Sequence, residues 1–266
     1  METSKSARSG LALITGASSG IGRELALLAA RHGYDLVVTG RSGALRDVAE
    51  ECRRCGSDVW AVEADLAQSE GVENVWKTVM ATNRPLDVAI LNAGRSIGGS
   101  FLDTDLNDEL DLIGLNVTSV VHLAKHVSRH MANQRQGKIL ITSSLSATLP
   151  TPYETVYGPS RAFVYMFAQS LRQELREHNV TVTALLPGAT DTEFHHRAGM
   201  DNTAFGKGAA KNSRVEVARQ GFAAMISGRD HVVGGNLKTK LVAIKHRFLP
   251  EPYKAVRHAE KARPRS

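Results

Sequence analysis

With 266 residues, 42% of them hydrophobic, the chain is long enough for one α/β domain with a full core and short for two. No apolar run approaches the ~20 residues of a membrane-spanning helix, and the polar first ten residues lack the charged-then-apolar order of a secretory leader, so a cytoplasmic protein is expected. The net charge of +6 would suit a nucleic-acid partner if it were spread over the chain, but residues 236–266 alone hold nine Lys and Arg against two acids. The body is close to neutral, so no nucleic-acid partner is expected.

Short apolar runs at 11–14, 36–38, 59–62, 88–91, 139–141 and 180–186 alternate with stretches long enough for helices. An amphipathic pattern over 215–226 and a last short run, His231-Val232-Val233, complete the series. Strands alternating with helices predict a Rossmann-type, doubly wound parallel sheet of about seven strands, with helices on both faces, in one domain over residues 1–235. A ligand of such a fold lies beyond the C-terminal ends of the strands, and every motif below follows an apolar run.

After the first run comes Thr15-Gly16-Ala17-Ser18-Ser19-Gly20-Ile21-Gly22, which opens a helical pattern over 21–31. Glycines permit a tight turn and let main-chain N–H groups approach a diphosphate at the positive end of the helix. The second run ends Val38-Thr39-Gly40-Arg41-Ser42. An NAD-selective site places a carboxylate there for the ribose hydroxyls; here Arg41 offers a guanidinium that forks onto a phosphate, and Ser42 adds a hydroxyl. NADP is therefore expected over NAD. Cys52 and Cys55 fall in a helical segment with no second Cys pair or Cys/His set, so no metal site is read from them.

Further on, Tyr157-Gly158-Pro159-Ser160-Arg161 puts a tyrosine and a cation one helical turn apart. The stretch resembles the Tyr-x-x-x-Lys signature of the short-chain dehydrogenase/reductase family, with arginine where the family has lysine. The likeness runs over residues 10–192. The spacing Gly-x-x-x-Gly-x-Gly of the first turn is similar to the family's version. Asp65 and Leu66 resemble the pair lining its adenine pocket, and Asn92-Ala93-Gly94 its Asn-Asn-Ala-Gly motif, with Leu91 in place of the first Asn. Asn116 and Ser144 match the asparagine and serine of its catalytic tetrad. Pro187, Gly188, Thr190 and Thr192 resemble the turn that holds the nicotinamide carboxamide. The resemblance implies a homodimer or homotetramer formed through the long helices that precede and carry the tyrosine.

The chemistry fits those residues. Carbonyl reduction delivers a hydride to carbon while a proton reaches the developing alkoxide, so the site needs a donor of suitable pKa and a group to hold the oxygen. Tyr157 is the donor and Ser144 the holder. An unperturbed tyrosine has a pKa of ~10, and an adjacent cation lowers an acidic group by ~1–3 units. In the family the lysine also touches the nicotinamide ribose and joins a proton relay through water and the asparagine, here Asn116. Arginine keeps the charge and the donors but does not give up a proton. The two readings are an NADP(H)-dependent carbonyl reductase or alcohol dehydrogenase with Asn116, Ser144, Tyr157 and Arg161 as its catalytic set, and an NADP(H)-binding protein without turnover. Pro159 requires that the helix begin just before it.

The substrate pocket is expected between residues 145–156 and a lid over 193–212 carrying Phe194, Met200 and Phe205, which suits an uncharged, fairly apolar substrate. His122, His126 and His130 share a helix face without a carboxylate in a zinc-protease pattern, and are read as half-exposed or at a subunit contact rather than as metal ligands. Residues 236–266 form a basic extension. Leu237, Leu241, Val242, Ile244 and Phe248 interleave with its cations in a helical pattern broken by Pro250 and Pro252. It is expected to pack on the lid or on a neighbouring subunit, or to touch an anionic membrane weakly, with its last dozen residues disordered.

Overall fold

A computed structural model describes residues 10–206 and 211–264. In chain order the elements are β1 (Gly10–Thr15), α1 (Gly20–Arg31), β2 (Tyr34–Gly40), α2 (Ala44–Arg54), β3 (Val59–Glu63), α3 (Ser69–Ala81), β4 (Leu86–Leu91), α4 (Leu106–Ile113) and α5 (Ser119–Gln134). They continue with β5 (Gly137–Thr142), α6 (Tyr157–Leu175), β6 (Val180–Pro187), α7 (Phe194–Arg197), α8 (Arg214–Ile226), β7 (His231–Gly234), α9 (Leu237–His246) and α10 (Glu251–Ala262).

The strands pair in the order β3-β2-β1-β4-β5-β6-β7, all parallel. Side chains alternate across each strand, so a run apolar at every position feeds a core on both faces. On β1, Leu11 and Leu13 enter one core while Ala12 and Ile14 enter the other. The first core is closed by Val72, Val75 and Val79 of α3, Leu123 and Val127 of α5, and Val164 of α6. Leu25 and Ala29 of α1, Val48 of α2, and Val217 and Phe222 of α8 close the second. Each fully buried Leu or Ile contributes about 1.5–3 kcal/mol. The strand order reverses between β1 and β4, which opens a crevice above their C-terminal ends.

Residues 255–262, within the stretch expected to be disordered, are helical. From Pro250, with Pro252 in the first turn where a missing N–H costs nothing, the chain forms α10. Its Lys254, His258 and Ala262, at i, i+4 and i+8, form a buried face. Lys254 Nζ donates to the carbonyls of Thr148 (3.1 Å) and His246 (3.2 Å). His258 Nδ1 donates to Pro152 O at 3.1 Å, and Ala262 packs with Ala198 and Met200 of the lid. Composition marked this stretch as polar, whereas three spaced side chains with partners in distant segments order it. α10 thus packs on the lid, whereas Leu237, Leu241, Ile244 and Phe248, expected to pack there or on a neighbouring subunit, stay exposed. Among the described residues no helix is long and apolar enough to cross a membrane.

Candidate active site

The turn after β1 is built by close approach. Gly16 and Gly20 have φ of +65° and +58°, and a Cβ on Gly22 would lie 2.1 Å from the Gly16 carbonyl oxygen. The Ser19 hydroxyl does not cap α1, so no side chain covers the first N–H groups of that helix. Arg197, on α7, spans from Glu193 to Ser19 Oγ (3.3 Å), which brings the lid against the turn. Beside it, Asn92 ties three strand ends together, donating to Thr15 O (3.3 Å) and accepting from Thr142 Oγ1 (3.1 Å).

Asn116 sits in a wide π turn, Gly114–Thr118, that joins α4 to α5, and is fully buried. Its Oδ1 accepts from Arg95 N and from Arg161 Nη2, both at 3.0 Å, and its Nδ2 donates to Arg95 O (2.9 Å) and Ser160 Oγ (3.0 Å). Arg161 Nη1 donates to Thr142 O at 3.2 Å, while Nε is buried without a partner. The guanidinium carbon lies 5.2 Å from the centre of the Tyr157 ring, and a Cβ on Gly94 would meet Nη2 at 1.8 Å. Glycine at 94 is what leaves room for arginine at 161.

Tyr157 is the first residue of α6 and is buried. Burial pushes its phenol above the ordinary tyrosine value, against the pull of the Arg161 charge and the Ser144 hydroxyl. Burial also draws the Arg161 pKa down, opposed by Tyr157. Ser144 has extended backbone, and its Oγ accepts from Ser146 N at 3.1 Å. Pro159 falls in the first turn of α6, where no helical hydrogen bond is lost.

Gly16, Ser18, Ser19, Gly20, Ile21, Gly22, Arg41, Ser42, Leu66, Asn92, Ala93, Gly94, Ser144, Tyr157, Arg161, Pro187, Gly188, Thr190 and Thr192 line one cleft of ≈ 1270 Å³. Single-ligand pockets are about 300–1,000 Å³, so there is room for a dinucleotide and a second molecule. Two expected residues do not reach its surface. Asn116 stands behind Arg161, and Asp65 turns aside to accept from Ala67 N (3.0 Å) and to pair with Arg41 Nη1 (3.3 Å). Met200, expected in the pocket wall, is fully buried against Ala198 and Ala262 instead.

Beside Phe194 and Phe205, expected in the wall, stand His195, Glu154 and His258. Phe194 packs 5.4 Å from Tyr157, ring centre to ring centre, and His195, Phe205 and His258 continue the aromatic series. Glu154, one turn before Tyr157, is buried between Ser96 Oγ (2.8 Å) and His258 Nε2 (3.4 Å). His195 Nδ1 is buried without a partner, and burial lowers the pKa of the ring. Val242 and Leu249, with Lys238 and Lys245, bring the extension to the cleft mouth. Of the apolar residues in its amphipathic pattern, Val242 faces the cleft, while Leu237, Leu241, Ile244 and Phe248 remain exposed. Away from the cleft, His122 and His126 aim their Nε2 atoms at one oxygen of Glu73, at 2.7 and 2.9 Å, so a carboxylate does face them, from α3.

The comparisons agree with this geometry. The family model described as short chain dehydrogenase matches residues 10–203. A hydroxysteroid 11-beta-dehydrogenase 1-like protein of Xenopus tropicalis is 36% identical over 185 residues, covering 68% of this chain and 64% of its own. A 3-oxoacyl-[acyl-carrier-protein] reductase of Synechocystis is 34% identical over 186 residues, covering 69% and 75%. Among solved structures, a short-chain dehydrogenase from Sphingobium yanoikuyae in complex with NADPH superposes with a TM-score of 0.80 at 29% identity, covering 90% of this chain and 93% of that one. The chain belongs to the short-chain dehydrogenase family of oxidoreductases.

Proposed function

We propose that the chain is an NADP(H)-dependent oxidoreductase that reduces a carbonyl, or oxidises the matching alcohol, on an uncharged and fairly apolar substrate. The observation that carries this reading is that Tyr157, Ser144 and Arg161 line the same cleft as the glycine turn. The open N–H groups of α1 and the close-packed turn fit a diphosphate, and the Pro187–Thr192 segment flanks the space beside Tyr157. When bound, the reduced nicotinamide supplies the hydride. Tyr157 gives its phenolic proton to the substrate oxygen, and Ser144 holds that oxygen by a hydrogen bond. Asn116 and Thr142 O fix the guanidinium under the Tyr157 ring, where its charge favours the phenolate left behind. Since arginine keeps its protons, Tyr157 is recharged from water in the cleft. Leu145, Leu149, Phe194 and Phe205 support an apolar substrate.

For the cofactor, β2 ends without a carboxylate and Arg41 with Ser42 lines the cleft there, so a 2′-phosphate would take the guanidinium from Asp65. The NADPH bound by the similar Sphingobium protein supports the same choice over NAD. A homodimer or homotetramer through α5 and α6 is supported by the exposed Phe163 and Met166 of α6 and Leu106, Leu110 and Ile113 of α4 nearby in the chain.

One observation favours the second reading, a cofactor-binding protein without turnover. Arg161 Nη2 donates directly to Asn116 Oδ1, where the family's relay would run through water. The test is NADPH consumption with a panel of apolar ketones, aldehydes and quinones, comparing the natural protein with Arg161→Lys. Turnover by the natural protein is expected; turnover by the lysine variant alone would establish the second reading.

A further inference from the structure

We propose that α9 docks this protein on an anionic lipid surface. Leu237, Leu241, Ile244 and Phe248 are 79%, 58%, 54% and 82% exposed. Their spacing of four, three and four residues sets the three residues of α9, and Phe248 in the turn just past it, in one stripe about 60° wide around the helix axis. The cations flank that stripe on both sides. At 3.6 residues per turn, Lys238 and Lys245 fall roughly 80–100° to one side of Leu237, and Lys240 and Arg247 roughly 60–80° to the other. Among the described residues, the Lys and Arg ion pairs of the extension are Lys254 with Glu251 and Arg257 with Glu260, both on α10. Of the four cations beside the stripe, Lys240 sits in the field of Glu216 of α8, while Lys238, Lys245 and Arg247 form no ion pair among the described residues.

An apolar stripe with long basic side chains along each border is what a helix lying in a bilayer interface requires. The apolar residues enter the acyl boundary, while the aliphatic stems of Lys and Arg reach back to the headgroups. Charge decides between occupants. A second copy seated on this face about a two-fold axis would bring both sets of cations together, which is repulsive, whereas an anionic headgroup layer neutralises them. Tyr253 and Val256 of α10, 52% and 59% exposed, add apolar surface in the adjoining helix. Lys238, Val242 and Lys245 also line the cleft, so docking sets its mouth beside the lipid.

The test is co-sedimentation of the full chain with vesicles of phosphatidylcholine alone or with about 30% phosphatidylserine. Binding to the anionic vesicles at least about tenfold stronger than to the neutral ones, and weakened by salt, is expected. Leu241→Asp with Phe248→Asp should abolish it. Lys240→Glu with Arg247→Glu should weaken it by at least about fivefold per charge. Neither pair lines the cleft, so the melting temperature and NADPH binding of the variants verify the fold independently of any turnover. Equal or absent binding to the two vesicle types would overturn the proposal. So would a fall in the natural protein's mass by light scattering, without vesicles, on introducing Leu241→Asp and Phe248→Asp, since the stripe would then be an interface between copies.

Discussion

Arg161 and Asn116 are joined by a direct hydrogen bond of 3.0 Å inside the protein, and the same guanidinium acts on Tyr157. Loss of the guanidinium should therefore cost both function and stability. Arg161→Ala is expected to lower turnover by at least about 100-fold and stability by about 1–3 kcal/mol, because Thr142 O and Asn116 Oδ1 each lose a donor. It should also move the pH midpoint of alcohol oxidation upward, since the Arg161 charge no longer opposes the effect of burial on Tyr157. Arg161→Lys should keep that midpoint close to the natural protein's. Steady-state rates across pH, read beside melting curves, test these expectations.

Arg41 tests the nucleotide preference. Its ion pair with Asp65 is half-exposed and contributes little to the fold, so Arg41→Asp should leave the melting temperature nearly unchanged. The same variant should shift preference from NADPH toward NADH by repelling the 2′-phosphate. Titrating both nucleotides against each protein measures the ratio, and an unchanged NADPH preference would sink the assignment.

Three histidines tie stability to pH. His130, His195 and His246 are each held below the ordinary histidine pKa of 6.5 by burial, and His246 further by Lys254 and Lys261. In the unfolded chain they take up protons near 6.5, where the folded protein does not, so the unfolded state gains as pH falls. Their stabilisation is complete above that value and is lost as pH drops through it toward the lowered pKa values. Melting temperatures should decline from about pH 7.5 to about pH 5.5. His246→Gln should flatten that slope without removing it.

The two cysteines should differ sharply. Burial pushes the Cys52 thiol up to about 12, whereas Cys55 is exposed. A thiol reagent near neutral pH should label one site per chain in the native protein and two in denaturant. Two fast native sites would contradict the packing of α2 described here.

The order of the sheet and the lining of the cleft were legible because each depends on short-range pattern. The apolar runs fixed which segments are strands, and the glycine spacing and Tyr157 with Arg161 each lie within one turn of chain. Glu154 escaped notice because a lone acid in a loop looks solvated until Ser96 and His258 meet it from distant segments. Asp65 resembles the family's adenine-pocket residue, and its carboxylate accepts from Ala67 N and pairs with Arg41. Residues 207–210 of the expected lid lie outside the described residues. α10 was misread for the reason that Glu154 was: its ordering partners, Thr148 and Pro152, are far away in sequence.

That separation also gives the cleft a history during synthesis. The nucleotide-facing half is made from segments ending at Thr192, whereas Lys254 and His258 reach Thr148 and Pro152 across 106 residues of chain. Because the N-terminal part of a chain leaves the ribosome first, the glycine turn and α8, which closes the core beneath α1, emerge before Lys254 and His258 complete the wall. Until α10 emerges, the wall of the cleft at Thr148 and Pro152 lacks the side chains that hold it.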